Sequence, residues 1–271
     1  MLACGDDQVR LYRWDEAAPR EVWRWSAATA KNLPAEYRTS LLSKIDDCKP
    51  VLEGRAILIT ASTGGVVLLD RVTGAIWFRA MAPMAHSATL LPGDRIAVAL
   101  SIQKAGDRLQ IYDRTNSEHA LFHLPLPSGH GAVWDAARQR LFALSHDYIQ
   151  AFSLVDWNTA TPSLREEERW DLPGRRDGHD MSHDPVTGNY FVTTDDGVWR
   201  FDADAGTFAP FTPLNPALRV KSISPSLHDL AWTQAEENWW AFGFMIAKRD
   251  GSDPERVPVD GLHLYKVRWL Q

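Results

Sequence analysis

The chain has 271 residues, of which 45% are hydrophobic and 24% charged, and it carries a formal net charge of −6 with a pI near 5.8. That is ample apolar material for a core needing neither disulfide nor metal merely to fold, and an acidic balance without any basic run disfavours nucleic acid as a partner. No stretch approaches the roughly 20 apolar residues of a membrane span. The sequence therefore reads as a soluble protein, cytoplasmic as it stands, or periplasmic or secreted if an export signal was removed.

Met1-Leu2-Ala3-Cys4-Gly5 has the outline of a lipoprotein cleavage site, but no charged or apolar segment precedes it and it reads better as a strand. Leu2–Cys4, Gln8–Trp14 and Glu21–Trp25 form three strands, followed by a long connection over residues 28–45 with a helical turn expected at Leu33–Tyr37. The next unit is the clearest: Lys49–Leu52, Ala56–Thr60, Gly65–Asp70 and Ala75–Arg79 read as strands a to d, with a tight turn at Asp70-Arg71-Val72-Thr73-Gly74. Asp202 to Gly206 repeats that turn, whose Asp-x-x-x-Gly spacing before an aromatic strand resembles the repeats of quinoprotein-type propellers.

Strands b to d of the third unit are expected at Ile96–Leu100, Leu109–Asp113 and Ala120–Leu124. In the fourth they fall at Leu141–Leu144, Ile149–Leu154 and Glu168–Leu172, with Glu166-Glu167-Glu168 taken as a solvated connection. Tyr190–Thr194, Val198–Asp202 and Phe208–Phe211 serve the fifth; Leu230–Gln234, Trp239–Ala247 and Arg256–Val259 serve the sixth. One strand, Leu262–Leu270, is left over, and the first unit lacks strand a. Letting the last strand complete the first blade closes the ring and removes the exposed edges of an open array. The expectation is all-β: one domain over residues 1–271, a six-bladed propeller closed by its C-terminal strand, with five blades as the alternative.

A basic residue opens strand a in each repeat. Lys49, His86, His130, His179 and Lys221 follow one another at 37, 44, 49 and 42 residues, a period expected of propeller or solenoid repeats. Strand a borders the axis, so these residues should ring one mouth of the central channel, with Lys266 or Arg268 from the final strand beside them. Three imidazoles from neighbouring strands suit a divalent metal, whether Mn, Zn, Fe or Ca. Lys and Arg suit a ligand carboxylate or phosphate.

The b-to-c turns should share that face. They hold Asp6 and Asp7, His146 and Asp147, Asp195 and Asp196, and Glu236 and Glu237. Such carboxylates serve as ligands or general acids and bases, although Asp-rich turns also arise because Asp hydrogen-bonds its own backbone; for Asp195 and Asp196 the latter reading is favoured. Asp180, beside His179, is the first carboxylate to test. Trp134, Trp239 and Trp240 are candidate stacking surfaces, whereas Trp23, Trp25, Trp77 and Trp170 suit packing between blades. His183, His228 and His263 receive no role. Cys4 and Cys48 are too few for a disulfide framework and have no metal-type spacing. Hydrolase nucleophile, phosphate-loop and nucleotide-cofactor motifs are absent.

Ala85-His86-Ser87-Ala88, Gly129-His130-Gly131-Ala132-Val133-Trp134-Asp135, Gly178-His179-Asp180-Met181, Val220-Lys221-Ser222-Ile223-Ser224, Trp239-Trp240 and the terminal Tyr265-Lys266-Val267-Arg268-Trp269 form one set. Together they resemble a family of bacterial propeller-like proteins of unknown function, often secreted and found among carbohydrate-using bacteria. The histidine ring is also similar in concept to that of oligogalacturonate lyases, where histidines hold a metal. The leading expectation is a carbohydrate-active protein, a metal-assisted lyase acting on uronate-containing oligosaccharides. His86, His130 and His179 would bind the metal, Lys49, Lys221 or Lys266 would be the base or the carboxylate partner, Asp180 would serve the site as a ligand or as orienter of an imidazole, and Trp134, Trp239, Trp240 and Arg268 would bind substrate. The alternatives are a non-catalytic glycan-binding propeller and a glycoside hydrolase using the carboxylates of the b-to-c turns.

Overall fold

The computed structural model describes residues 1–14 and 19–270. Six four-stranded antiparallel sheets succeed one another along the chain. Blade 1 takes its inner strand from the C-terminus: Leu264–Arg268 lies beside Leu2–Gly5, followed outward by Gln8–Trp14 and Pro19–Ser26. Blade 2 comprises Ile45–Val51, Ala56–Ala61, Gly65–Asp70 and Ile76–Met81. Blade 3 comprises Ala85–Leu91, Arg95–Leu100, Arg108–Asp113 and Ala120–Pro125. Blade 4 is Gly131–Asp135, Arg140–Leu144, Tyr148–Val155 and Ser163–Asp171, and blade 5 is Asp180–His183, Tyr190–Thr193, Val198–Asp202 and Thr207–Pro210. Val220–Pro225, Asp229–Gln234, Gly243–Lys248 and Glu255–Pro258 make blade 6. This is the six-bladed propeller closed by its last strand, not the five-bladed alternative.

The strands form where short apolar runs meet turn residues. Asp70 Oδ1 accepts from the backbone N–H groups of Val72 and Thr73, and Gly74 adopts φ +73° to reverse the chain. Asp202 repeats the device with Asp204 and Ala205 before Gly206. Closure is pinned twice. Leu2, Ala3 and Cys4 pair in register with Arg268, Val267 and Lys266, and Cys4 forms a disulfide with Cys48 on the inner strand of blade 2, Cα atoms 6.1 Å apart. The pair that seemed too sparse for a framework thus joins the first blade to the second.

Six apolar clusters fill the six seams between neighbouring blades. Trp23, Trp25, Trp77 and Trp170 pack against these seams as their outer-strand positions implied. Trp134 does the same between blades 3 and 4. The helical turn of the long connection lies at Tyr37–Leu41, slightly later than expected, and Tyr37 donates to Glu118 of blade 3 at 2.7 Å. Glu166-Glu167-Glu168 belongs to the outer strand of blade 4, not to a connection. There, Arg169 and Arg165 pair with Glu166 and Glu167, and the charges keep this edge from recruiting another strand.

Candidate functional site

Every inner strand starts at the same end of the channel, and hydrogen-bond register identifies equivalent positions. A β-bulge interrupts the pairing of strands a and b at Tyr265, Asp46, His86 and Lys221 in blades 1, 2, 3 and 6. His130 and His179 stand just before the paired residues of blades 4 and 5, each donating its backbone N–H to strand b. A bulge re-aims a side chain. Here it contributes to a ring of six side chains, one per blade, in the order Tyr265, Asp46, His86, His130, His179, Lys221.

Two sequence assignments were therefore out of phase. Lys49 lies three residues beyond the ring position of blade 2, which belongs to Asp46, and Lys266 lies one beyond Tyr265. The ring walls a cavity of about 490 Å³ to which Asp177, Trp239 and Trp240 also contribute.

His86 and His130 meet edge to face with ring centres 4.5 Å apart, and His130 and His179 lie 5.9 Å apart. His86 Nδ1 is 3.0 Å from the carbonyl of Met84, and His130 Nδ1 is 2.8 Å from that of Ser128. A carbonyl only accepts, so both rings carry hydrogen on Nδ1 and present a lone pair at Nε2. His179 Nε2 contacts Lys221 Nζ at 2.9 Å and Asp195 Oδ1 at 3.1 Å. When Lys221 is charged it donates to this nitrogen; when neutral, Nε2–H can donate to Asp195. Burial lowers Lys221 to about 8, so both arrangements are accessible near neutral pH. Among the described residues, Asp177, His179 and Asp195 bring ligand-type atoms within 4.8 Å of one another. Trp239 is 63% exposed at the lip, with the Lys221 ammonium 5.7 Å from its ring centre.

Beneath the ring the channel is closed by charge. Arg268 reaches Asp47 at 2.8 and 2.9 Å and Asp180 at 2.7 and 2.6 Å, while Lys266 reaches Asp180 at 3.1 Å and the His130 carbonyl at 3.2 Å. All four side chains are buried. Burial alone would raise the two carboxyls, but Arg268 and Lys266 hold both below the ordinary range. Asp47, Asp180, Lys266 and Arg268 therefore neutralise one another inside the protein, and Asp180, Lys266 and Arg268 do not stand at the mouth as the sequence reading had them.

Lys49 lies on the far side of this layer. It lines a smaller cavity of about 180 Å³ with Thr89, Ser182, Ser224 and Arg268, and donates to the Ala132 carbonyl at 2.7 Å. Trp134 is seated in its seam at that end and is no stacking surface of the mouth. A more open cleft of about 700 Å³ lies between the outer parts of blades 1 and 6, but it brings together no comparable ring of imidazole and carboxyl groups.

Of the turn carboxylates, Asp195 reaches the site. Asp196 caps its own turn through Thr194 and the Arg175 backbone, Asp6 binds His263 and Asp7 binds Ser26, and Glu236 pairs with Arg256. The sequence reading missed Asp46, Asp177 and Tyr265. The signal available was position: Asp46 and Tyr265 keep the repeat phase, but neither is basic.

The mouth is thus mixed rather than basic, with Lys44 and Lys221 facing Asp177 and Asp195. Its imidazoles are neutral: burial lowers His86 to about 4, His130 well below its usual value, and His179 to about 3 with help from Lys221. Their unfolded forms bind protons near pH 6.5, so the stability they confer is complete above that value and is lost as pH falls toward the folded values. Asp46 acts oppositely: burial raises it to about 8, so its contribution is complete below about pH 4 and is lost as pH rises toward and through 8. Three imidazoles against one carboxyl leave about two net protons taken up on unfolding below pH 6, or roughly 2.7 kcal/mol per pH unit. Urea unfolding of metal-free protein at pH 6 and pH 5 should show that loss; equal stability would contradict neutral buried rings.

A family profile matches residues 6–271. The chain belongs to DUF6528, a family of unknown function. No curated protein matches this DUF6528 chain. Among solved structures it is similar to a chain of the nidogen/laminin complex, with TM-score 0.65 and 11% identity over 97% of this chain and 95% of that one. It is also similar to Kuenenia stuttgartiensis hydrazine synthase, with TM-score 0.55 and 11% identity over 79% of this chain; it spans 65% of that chain. At such identity the likeness concerns the fold alone. No helix among the described residues is long and apolar enough to cross a membrane.

Proposed function

We propose that the mouth binds a small acidic sugar through a divalent ion held by His86, His130 and His179, and removes the proton beside the sugar's carboxylate. The observation carrying this reading is the pair of hydrogen bonds from His86 Nδ1 and His130 Nδ1 to backbone carbonyls, which leaves each Nε2 lone pair available. Metal-binding histidines are commonly oriented in this way. Rings bound to one ion at ~2 Å through nitrogen would have centres roughly 5 Å apart, near the observed spacings. Because the mouth has balanced charge, an anionic ligand gains little attraction from the protein alone; a bound divalent ion would supply that attraction and polarise the carboxylate.

Lys221 is the base in this scheme. Its amine is held 2.9 Å from His179 Nε2, and the carboxylates of Asp177 and Asp195 favour the ammonium it becomes on taking the proton. Trp239 and Trp240 form an aromatic lip against which a sugar face can rest, and Trp240 packs edge-on to Tyr265 with centres 6.0 Å apart. The exposed Trp239 equally favours a second reading, a glycan-binding propeller without turnover. The Cys4–Cys48 bridge supports folding in an oxidising compartment, so we place the protein outside the cytoplasm.

The test uses protein prepared without a histidine tag. Metal analysis should find about one divalent ion per chain, and His130→Ala should weaken zinc or manganese binding at least tenfold in calorimetry while retaining the fold. Unchanged binding would remove the metal. Growth of unsaturated-uronate absorbance from oligogalacturonate separates a lyase from a binding module, which would hold the glycan unchanged.

A further inference from the structure

We propose that Asp46 is the proton donor of the mouth, giving a hydrogen bond, and in the reaction its proton, to the sugar oxygen on the side opposite His179. The inference rests on the acidic-sugar reading but begins from independent geometry. Asp46 occupies the ring position of blade 2 and is aimed there by the bulge between Ile45 and Asp47. In a closed ring of six, blade 2 lies across the axis from blade 5, which carries His179.

Asp46 is 2% exposed, lines the mouth cavity, and its Oδ2 has no hydrogen-bond partner among the described residues. Its neighbour in the chain has the opposite fate. Asp47 points one layer deeper and meets both the Arg268 fork and the Ser87 hydroxyl. No cationic nitrogen comes within 4.0 Å of Asp46 among the described residues.

The groups around Asp46 are Ser62, which hydrogen-bonds it, Lys266 and Asp47 below, and Tyr265 on the adjoining blade, with Lys44 at the cavity rim. Lys266 favours the anion, yet burial dominates and pushes the carboxyl up to about 8. A buried carboxylic acid with an unengaged oxygen, on a residue that lines a cavity, can donate where an ionised one only accepts.

In a uronate elimination the C–H bond next to the carboxylate gives its proton to the Lys221 amine. The electron pair left behind becomes a C=C bond as the neighbouring C–O bond breaks. The departing oxygen takes the proton from Asp46, and solvent later restores both groups. Base and acid come from blades 6 and 2, two places apart around the ring, so the two transfers can occur on one bound sugar without exchanging partners.

Two measurements test the assignment. The infrared spectrum of wild type at pH 7 should contain a protonated-carboxyl band that is absent from Asp46→Asn. Asp46→Asn should also lose about 100-fold or more in turnover of oligogalacturonate, whose leaving group is a sugar hydroxyl, yet stay within a few-fold of wild type on a uronate bearing a nitrophenoxide leaving group, which departs without a proton. No band at pH 7, or equal losses on both substrates, would overturn the proposal. If wild type forms unsaturated product from neither substrate, the elimination reading fails and the infrared band alone decides whether Asp46 is a donor.

Discussion

Arg268→Ala is expected to destabilise the fold by roughly 3–5 kcal/mol, because it removes the main partner of two carboxylates that cannot reach water. Asp47 and Asp180 are 1% and 0% exposed at the side chain, and the guanidinium makes four short contacts to them. Lys266 would remain, 3.1 Å from Asp180 and 4.0 Å from Asp47, and one ammonium cannot replace a planar fork serving both. The variant should also respond differently to acid. Without the cation that lowers them, the carboxyls must protonate to stay buried, so the deficit should shrink as pH falls from 7 toward 5. Urea unfolding at both pH values measures the two effects together. A loss under about 1 kcal/mol at pH 7 would show that this ionic layer is not the closed cluster described above.

Reduction should have an effect of similar size. The Cys4–Cys48 bridge spans a sequence separation of 44, for which chain-entropy reasoning gives about 4 kcal/mol. It also links a strand paired to the C-terminus with the blade carrying Asp46 and Asp47. The Cys4→Ala/Cys48→Ala double variant, and wild type held in reductant, should both lose about 2–4 kcal/mol and unfold at lower temperature. Both sulfurs are buried, so reductant should act slowly on the folded protein and quickly once it is unfolded. A melting temperature unaffected by either treatment would show that ring closure rests on strand pairing and seam packing alone.

The blade plan was legible because propeller strands are short, bounded by Asp and Gly turns, and repeated at a nearly constant interval. Completion of blade 1 by Leu264–Arg268 followed from counting: one blade lacked a strand and one strand lacked a blade. The three-histidine arc was legible for the same reason. Depth along the channel was not. Strand a alternates faces, so sliding the phase marker from Asp46 to Lys49 carries a residue from the mouth, past the ionic layer, to the opposite cavity. Choosing a basic marker hid the acidic and phenolic members of the ring. A strict count from His86 would have pointed near Asp46 and Tyr265, although the bulges that turn them toward the mouth have no sequence signature. Asp177 lies beyond reach of the repeat altogether, in the connection before blade 5 at φ +75°.

On the proposed reading of the mouth, the layer formed by Arg268, Lys266, Asp47 and Asp180 also governs traffic. It makes the axis a blind well, so whatever enters past Trp239 must leave by the same doorway. A long polymer cannot be threaded through and cut along its length; only a free terminus or a short fragment can reach the floor of such a well. Departure of one guest must then precede arrival of the next.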